Sequence, residues 1–310
     1  MARNSVSSIH FTTILLYTLS QFKMISKTPT SAATGQTQQF HIFGRGISFS
    51  MSPAIHNTGF EHHDLDNNYK ITEVDTVEDC LPFISQKNFG GASVTMPYKL
   101  EVSRYCDELT TEAKLLGAVN TLAVNHGEDG ERTIEGDNTD WSGILNCIQT
   151  RHPNPKTGWV IGAGGAARAA IYALHRAGIE SIYISNRTHS KAEAIAETFA
   201  GNFKVEVVDD WTEMNAHPAD VIVGTVPAET YDDSQFDGLE WNAAGGLCID
   251  MSYKPRVTPL LSVAAKAPKW KIANGIEILL EQGYVQYQKW TGVEPPKQLM
   301  RAAVGVDSAS

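Results

Sequence analysis

The run Gly162-Ala163-Gly164-Gly165-Ala166-Ala167 follows an apolar triplet, Trp159-Val160-Ile161, and leads into an alanine-rich segment. A glycine turn between a strand and a helix is the setting of the dinucleotide fingerprint. Gly162 permits the tight turn, Gly164 lets the backbone approach a pyrophosphate, and Ala167 allows close helix–strand packing. The helix that the turn opens, with Gly165 in the turn, directs free amide N–H groups and the positive end of its dipole at the phosphates. Glycines also mark plain turns, and it is the strand–turn–helix context that favours the nucleotide. A second segment, Asn186-Arg187-Thr188 with Lys191, stands where the next strand ends. An NAD site usually has Asp or Glu there to accept from the ribose hydroxyls. A carboxylate would repel a 2′-phosphate, whereas Arg187 can pair with one through a charge-assisted fork. The charge pattern points to NADP.

These segments sit in a regular series. Residues 40–43, 69–74 and 92–95 read as strands and 53–63 and 77–86 as helices, with Pro97 suited to the first turn of another helix. From residue 158 a second series begins, with strands at 159–161, 181–185, 205–208, 220–224 and 247–250. Its helices run from the glycine turn to about residue 177 and over 190–199; a long helix at 275–290 and a shorter one at 296–304 follow. Such alternation predicts an α/β fold with mostly parallel sheets covered by helices. His152-Pro153-Asn154-Pro155 reads as a linker between the two series.

A length of 310 residues suits two domains, and 42% hydrophobic with 19% charged residues suits a soluble globular protein. The net charge of −10 argues against nucleic-acid or acidic-membrane partners, so a small anionic ligand needs a locally basic or amide-lined pocket. Cys80, Cys106, Cys147 and Cys248 share no CxxC spacing, which points to reduced thiols and a cytoplasmic location. His62 and His63 are adjacent and would not share one face of a helix, so no metal is expected. No stretch approaches the roughly 20 apolar residues of a membrane span. Residues 1–38 are acid-poor and rich in Ser and Thr. They are expected to be a disordered leader or an over-extended start, with a transit peptide as the alternative.

The chain also carries an ordered set of short motifs: Ser50-Met51-Ser52-Pro53, Ser93 to Lys99, Gly117 to Thr121, Asn138-Thr139-Asp140, the glycine turn, Asn186 to Thr188, Asp250 to Tyr253, and Gln282. In this order and spacing they resemble the shikimate dehydrogenase family from Phe40 onward. Gly90 to Ser93 and Asn138 to Trp141 are most similar to the dehydrogenase domain of the fungal pentafunctional AROM protein. The resemblance implies an oxidoreductase that moves hydride between NADP and a cyclic polyol acid. It implies a substrate-binding α/β domain over residues 39–140 plus 275–305, a Rossmann-type NADP domain over 141–274, and an active-site cleft between them.

By the same resemblance, Lys99 hydrogen-bonds the reacting oxygen and moves its proton, and Asp140 pairs with Lys99. Ser50, Ser52 and Tyr253 take the substrate carboxylate, while Thr95, Asn120 and Gln282 bind ring hydroxyls. Met251 and Gly275 lie beside the nicotinamide and Thr225 over the cofactor. Two positions depart from the bacterial members, which usually have His where Phe49 stands and Asn where Ser93 stands; the AROM branch shares the serine. Shikimate is therefore the expected substrate, with quinate or a related secondary metabolite as the alternative. A small-molecule enzyme of this kind is expected as a monomer or homodimer. A non-catalytic ligand sensor is the rival of another class, but it would have no need of Lys99 and Asp140. His56, inside the first motif, reads as structural.

Overall fold

The computed structural model describes residues 37–127, 129–209 and 211–306. The leader expected over residues 1–38 lies, except for Thr37 and Gln38, outside the described residues. Two six-stranded sheets organise the chain. The first contains β1 (Gln39–Gly44), β2 (Asn68–Glu73), β3 (Phe89–Val94), β4 (Glu108–Leu109), β5 (Thr121–His126) and β6 (Arg132–Asp137), ordered β2-β1-β3-β5-β6-β4. β1 runs parallel to β2 and β3, but β5 is antiparallel to both β3 and β6. The expectation of a mostly parallel sheet holds here with one exception, β5, which runs against the other five strands. The connection between β5 and β6 is too short for a crossover helix and permits only an antiparallel return.

Two expectations change. The helix read over 77–86 is a 3-10 turn, Glu78–Cys80, followed by one α-turn. Pro82, in the first turn of that α-turn, has no N–H with which to continue a hydrogen bond from the preceding residues. The strand read from residue 92 begins at Phe89 and includes Gly90 and Gly91. A Cβ at Gly90 would stand 2.5 Å from the Phe40 ring, and one at Gly91 2.5 Å from Trp290 Nε1. The two glycines are strand residues that make room for aromatic rings. The first-sheet helices are α1 (Ser52–His62), α2 (Leu81–Ile84) and α3 (Thr111–Leu116); α4 (Asp140–Arg151) then leads to the second sheet.

The second sheet holds β7 (Thr157–Ile161), β8 (Ser181–Ser185), β9 (Glu206–Val208), β10 (Val221–Gly224), β11 (Gly246–Asp250) and β12 (Trp270–Ala273). Its order is β12-β11-β10-β7-β8-β9, with every neighbouring pair parallel. This is a doubly wound sheet, and the winding reverses between β7 and β10, where such sheets open a crevice for ligands. Alternate residues of β7 serve opposite faces: Trp159 and Ile161 join one core, Val160 the other. Helices α5 (Gly165–Arg176), α6 (His189–Phe199) and α7 (Pro259–Ala264) belong to this half.

The chain then returns. α8 (Gly275–Thr291) is capped at both ends, by Asn274 with Glu277 in a reciprocal capping box and by Gly292 in the left-handed conformation. It packs against the first sheet, where Tyr287 and Trp290 join Phe40, Ile55 and Phe60 in one core, and α9 (Lys297–Ala302) closes it. Lys289 reaches Glu135 at 2.6 Å and Asp137 at 2.9 Å. Burial alone would lower this ammonium, but the two carboxylates outweigh it and hold it above its ordinary value. Among the described residues no helix is long and apolar enough to cross a membrane, and all four cysteines are free.

Trp290 is 2% exposed and donates from Nε1 to the Leu122 carbonyl at 2.9 Å. Trp290→Ala should lower the unfolding free energy by about 3–5 kcal/mol, through the cavity left and the carbonyl unpaired. Urea denaturation of the two proteins measures the difference.

Candidate active site

A cavity of about 520 Å³ lies where loops from the two sheets face each other. Its walls come from segments after β1, β3, β7, β10 and β11, together with the start of α8. Ser50, Ser52, Thr95, Lys99, Asn120, Asp140, Gly164, Gly165, Thr225, Met251, Tyr253, Gly275 and Gln282 all line it. Gly162 and Ala167 sit behind the same turn. Asn186, Arg187, Thr188 and Lys191 stand apart, at the end of β8 and the start of α6, outside the cavity wall.

At the base, Lys99 Nζ contacts Asp140 Oδ2 at 2.6 Å. Lys99 sits in a 3-10 turn after the cis Met96–Pro97 bond, and its carbonyl accepts from Val119 N at 2.7 Å. Asp140 opens α4, where a carboxylate is stabilised by the helix dipole. Its second oxygen accepts from Asn120 Nδ2 at 2.9 Å. Asn120 Oδ1 accepts from the Thr139 N–H at 2.7 Å, which fixes the orientation of the amide. Asn120 Nδ2 also lies 3.2 Å from Gln282 Oε1, so both of its hydrogens are directed within the protein.

The opposite end of the cavity is formed by Ser50, Ser52 and Tyr253. Ser50 Oγ accepts from the Ser52 N–H at 3.3 Å and is also bonded to the Tyr253 hydroxyl. Burial raises the Tyr253 phenol above its ordinary value, and the Ser50 bond opposes the shift. Phe49 meets Tyr253 edge-on at 5.9 Å, and Lys254 Nζ lies 4.7 Å over the Phe49 ring. Arg45 and Lys254 join Lys99 in the wall, against Asp140 and Glu229, so three cations face two carboxylates and the cavity keeps a small positive excess in an acidic chain. His56 is buried and stacks on Tyr69 at 4.7 Å. Burial lowers it to about 3 against a hydrogen bond with Gln286, so it is neutral.

Gly162 has φ +114°, and a Cβ there would meet Thr225 Oγ1 at 2.5 Å. The turn is thereby pressed against the loop after β10. Gly164 has open space where a Cβ would stand. A Cβ at Gly165 would lie 3.2 Å from Lys99 Cβ. The first amides of α5 have no intrahelical acceptors and open onto the cavity at Gly164 to Ala166. Arg187 is exposed at the end of β8. An anionic dinucleotide fits this cradle: an amide-lined turn at the winding reversal with an arginine on the adjacent strand.

Further contacts hold this frame, some through residues to which the sequence assigned no role in the site. Asp250 accepts from Ser252 N at 2.9 Å and Thr258 Oγ1 at 2.6 Å, tying the Met251–Tyr253 loop to the cap of α7. Gly275 could not be any larger residue, since its Cβ would fall 2.4 Å from the Met251 carbonyl oxygen. Tyr69, Thr121 and Gln286 form a buried network around Ser93, with Gln286 itself in the cavity wall. A polar position four residues after Gln282 on one helix face was the available signal for Gln286.

Comparison with known proteins assigns the same regions. A family described as the shikimate dehydrogenase substrate binding domain matches residues 42–122. Shikimate / quinate 5-dehydrogenase matches 148–256, and the shikimate 5'-dehydrogenase C-terminal domain matches 275–304. The chain is 38% identical over 279 residues to the pentafunctional AROM polypeptide of Schizosaccharomyces japonicus, covering 84% of this chain and 17% of that protein. It thus spans about a sixth of the length of such relatives. The dehydroquinate dehydratase and shikimate dehydrogenase portion of the S. pombe protein is 35% identical with TM-score 0.72, covering 87% of this chain and 53% of that one. A shikimate 5-dehydrogenase of Thermus thermophilus, solved with NADP(H) and shikimate, is 28% identical with TM-score 0.69, covering 86% and 98%.

Burial raises the Asp250 carboxyl to about 6, against the bonds from Thr258 and Ser252. A carboxyl raised in the native state contributes stability that is complete below its unfolded value, about 3.9, and lost as the pH rises through the native one. Between about pH 4 and 6 the wild type should lose up to about 3 kcal/mol relative to Asp250→Asn. Chemical denaturation of both proteins at successive pH values tests this; equal pH dependence would refute it.

Proposed function

This chain belongs to the shikimate dehydrogenase family, and we propose that it catalyses the reversible NADPH-dependent reduction of 3-dehydroshikimate to shikimate. The observation that carries the reading is the 2.6 Å contact between Lys99 and Asp140 in a cavity that the glycine turn also lines. A proton-transfer pair and a phosphate cradle in one space suit hydride transfer to a ketone. The dinucleotide, when bound, supplies the hydride.

The chain's own residues do the rest. Lys99 hydrogen-bonds the ketone oxygen, stabilises the developing alkoxide and gives it a proton; in the reverse direction it takes the proton back. Asp140 holds the ammonium in place, and Asn120 with Gln282 holds Asp140. Ser50, Ser52 and Tyr253 receive the substrate carboxylate, with Arg45 and Lys254 adding positive charge at the rim. Thr95, Asn120 and Gln282 are assigned to the ring hydroxyls, Asn120 by releasing a hydrogen that Gln282 or Thr139 holds. Gly162, Gly164, Gly165 and Ala167 form the pyrophosphate turn. Arg187, with Asn186, Thr188 and Lys191 around it, takes the 2′-phosphate, and Thr225, Met251 and Gly275 flank the nicotinamide side. The domain division follows the sheets: residues 39–140 with 275–305 bind substrate and 141–274 bind the cofactor.

Initial rates with shikimate and with quinate, each with NADP and with NAD, test the reading directly. Shikimate with NADP should be preferred, and silence in all four from folded protein would overturn it. Lys99→Ala should lower kcat by about 10²–10⁴-fold while leaving shikimate affinity nearly intact. Arg187→Ala should raise the KM for NADP by about ten- to a hundredfold and leave that for NAD unchanged, the scale of a hydrogen bond to a charged group.

A further inference from the structure

Along the wall of the cavity, which Gln286 itself lines, runs a series of buried hydrogen bonds whose direction is set by a backbone group. The Asn120 carbonyl oxygen can only accept, and Gln286 Nε2 lies 3.3 Å from it and 2.8 Å from Thr121 Oγ1. The Gln286 side-chain nitrogen therefore faces Asn120 and Thr121, and its oxygen faces Ser93 Oγ at 2.9 Å. That oxygen carries no hydrogen, so the Ser93 hydroxyl donates its single hydrogen to it. Tyr69 in turn donates to Ser93 at 2.6 Å. Ser93 also lines the cavity, where it offers a lone pair and has no hydrogen left to give. Tyr69 and Gln286 are each 1% exposed and Thr121 0%, so reversing any bond would strand a buried polar group.

Gln282, one turn earlier on α8, has the complementary polarity. Its oxygen accepts from Thr139 Oγ1 at 3.0 Å and from Asn120 Nδ2, while Nε2 donates to the Leu279 carbonyl at 2.9 Å. One amide hydrogen remains for the cavity. The same helix therefore arranges a donor and, through Ser93, an acceptor one turn apart.

We infer that Gln286 is a specificity-determining positioning residue: by holding the Ser93 hydrogen it makes this wall an acceptor, so the substrate group beside Ser93 must be a hydrogen-bond donor. The inference rests on reading the cavity as the site of a cyclic polyol acid. A ring hydroxyl satisfies Ser93. A fluoro, methoxy or keto group in its place faces lone pair against lone pair.

The test uses shikimate and analogues in which each non-reacting ring hydroxyl is replaced in turn by fluorine, which does not donate. Calorimetric binding to wild type, Gln286→Leu and Tyr69→Phe is compared, with turnover of shikimate measured beside it. One fluoro analogue should bind wild type about tenfold or more weakly than shikimate, the scale of one hydrogen bond, and Gln286→Leu should narrow that gap to about threefold. Tyr69→Phe leaves Ser93 bonded to Gln286 and should keep the wild-type ratio. A ratio within one protein is unmoved by partial misfolding, and Gln286→Met is read the same way if the leucine variant does not fold. Equal binding of every analogue by wild type, or an unchanged ratio in Gln286→Leu, overturns the inference. Turnover of shikimate with an unchanged ratio overturns it alone, whereas discrimination without turnover supports it and overturns the dehydrogenase reading.

Discussion

Asp140 is a carboxylate with 5% of its surface exposed, and the base of the cleft follows from what makes that burial tolerable. An isolated buried charge costs several kcal/mol, and only pairing together with full hydrogen bonding offsets it. Lys99 supplies the countercharge, Asn120 a directed N–H, and the first turn of α4 a favourable dipole. Each of these needs support of its own. Asn120 is oriented by the Thr139 N–H, and its backbone N–H is tied to the Asp137 carbonyl at 3.0 Å. The β5–β6 hairpin, the start of α4 and the inner face of α8 are thereby held to one another around a single charge.

Much of this was legible in the sequence, for reasons that differ along the chain. The second sheet is parallel and covered on both faces, so its strands read as short apolar runs between helices, and the glycine turn marked its centre. The first sheet was harder. β5 and β6 give no clear alternation, because Thr121 and Leu122 are both wholly buried and face different surroundings. Gly90 and Gly91 fall outside the strand read over 92–95, because glycine is disfavoured in strands, and here Phe40 and Trp290 occupy the space their side chains would fill. Lys99 and Asp140 are separated by forty-one positions, and neither announces a partner; the motifs around them, not their types, linked them. Gln286 and Tyr69 carry no motif, and Thr121 closes one without an assigned role. A polar residue on the inward face of a helix becomes meaningful only when its neighbours are known.

Electrostatics divides in the same way. A net charge of −10 speaks for the whole surface and says little about a cleft where Arg45, Lys99 and Lys254 outnumber Asp140 and Glu229. Within a partly enclosed space near charges dominate over the distant ones, which salt screens. An acidic protein can therefore receive an anionic ligand at a locally basic mouth.

The closeness of Gly165 to Lys99 ties the shape of one half to the chemistry of the other. A methyl group added to the turn would press on the stem of the lysine, 3.2 Å away. The two halves are thus not interchangeable parts. A nucleotide-binding unit recruited from another lineage would arrive with its own side chain at this position, and a larger one would displace the lysine before any contact with substrate changed. A side chain at this turn is thus felt first at the lysine stem, which must give by a few tenths of an ångström, and through it at the contact with Asp140.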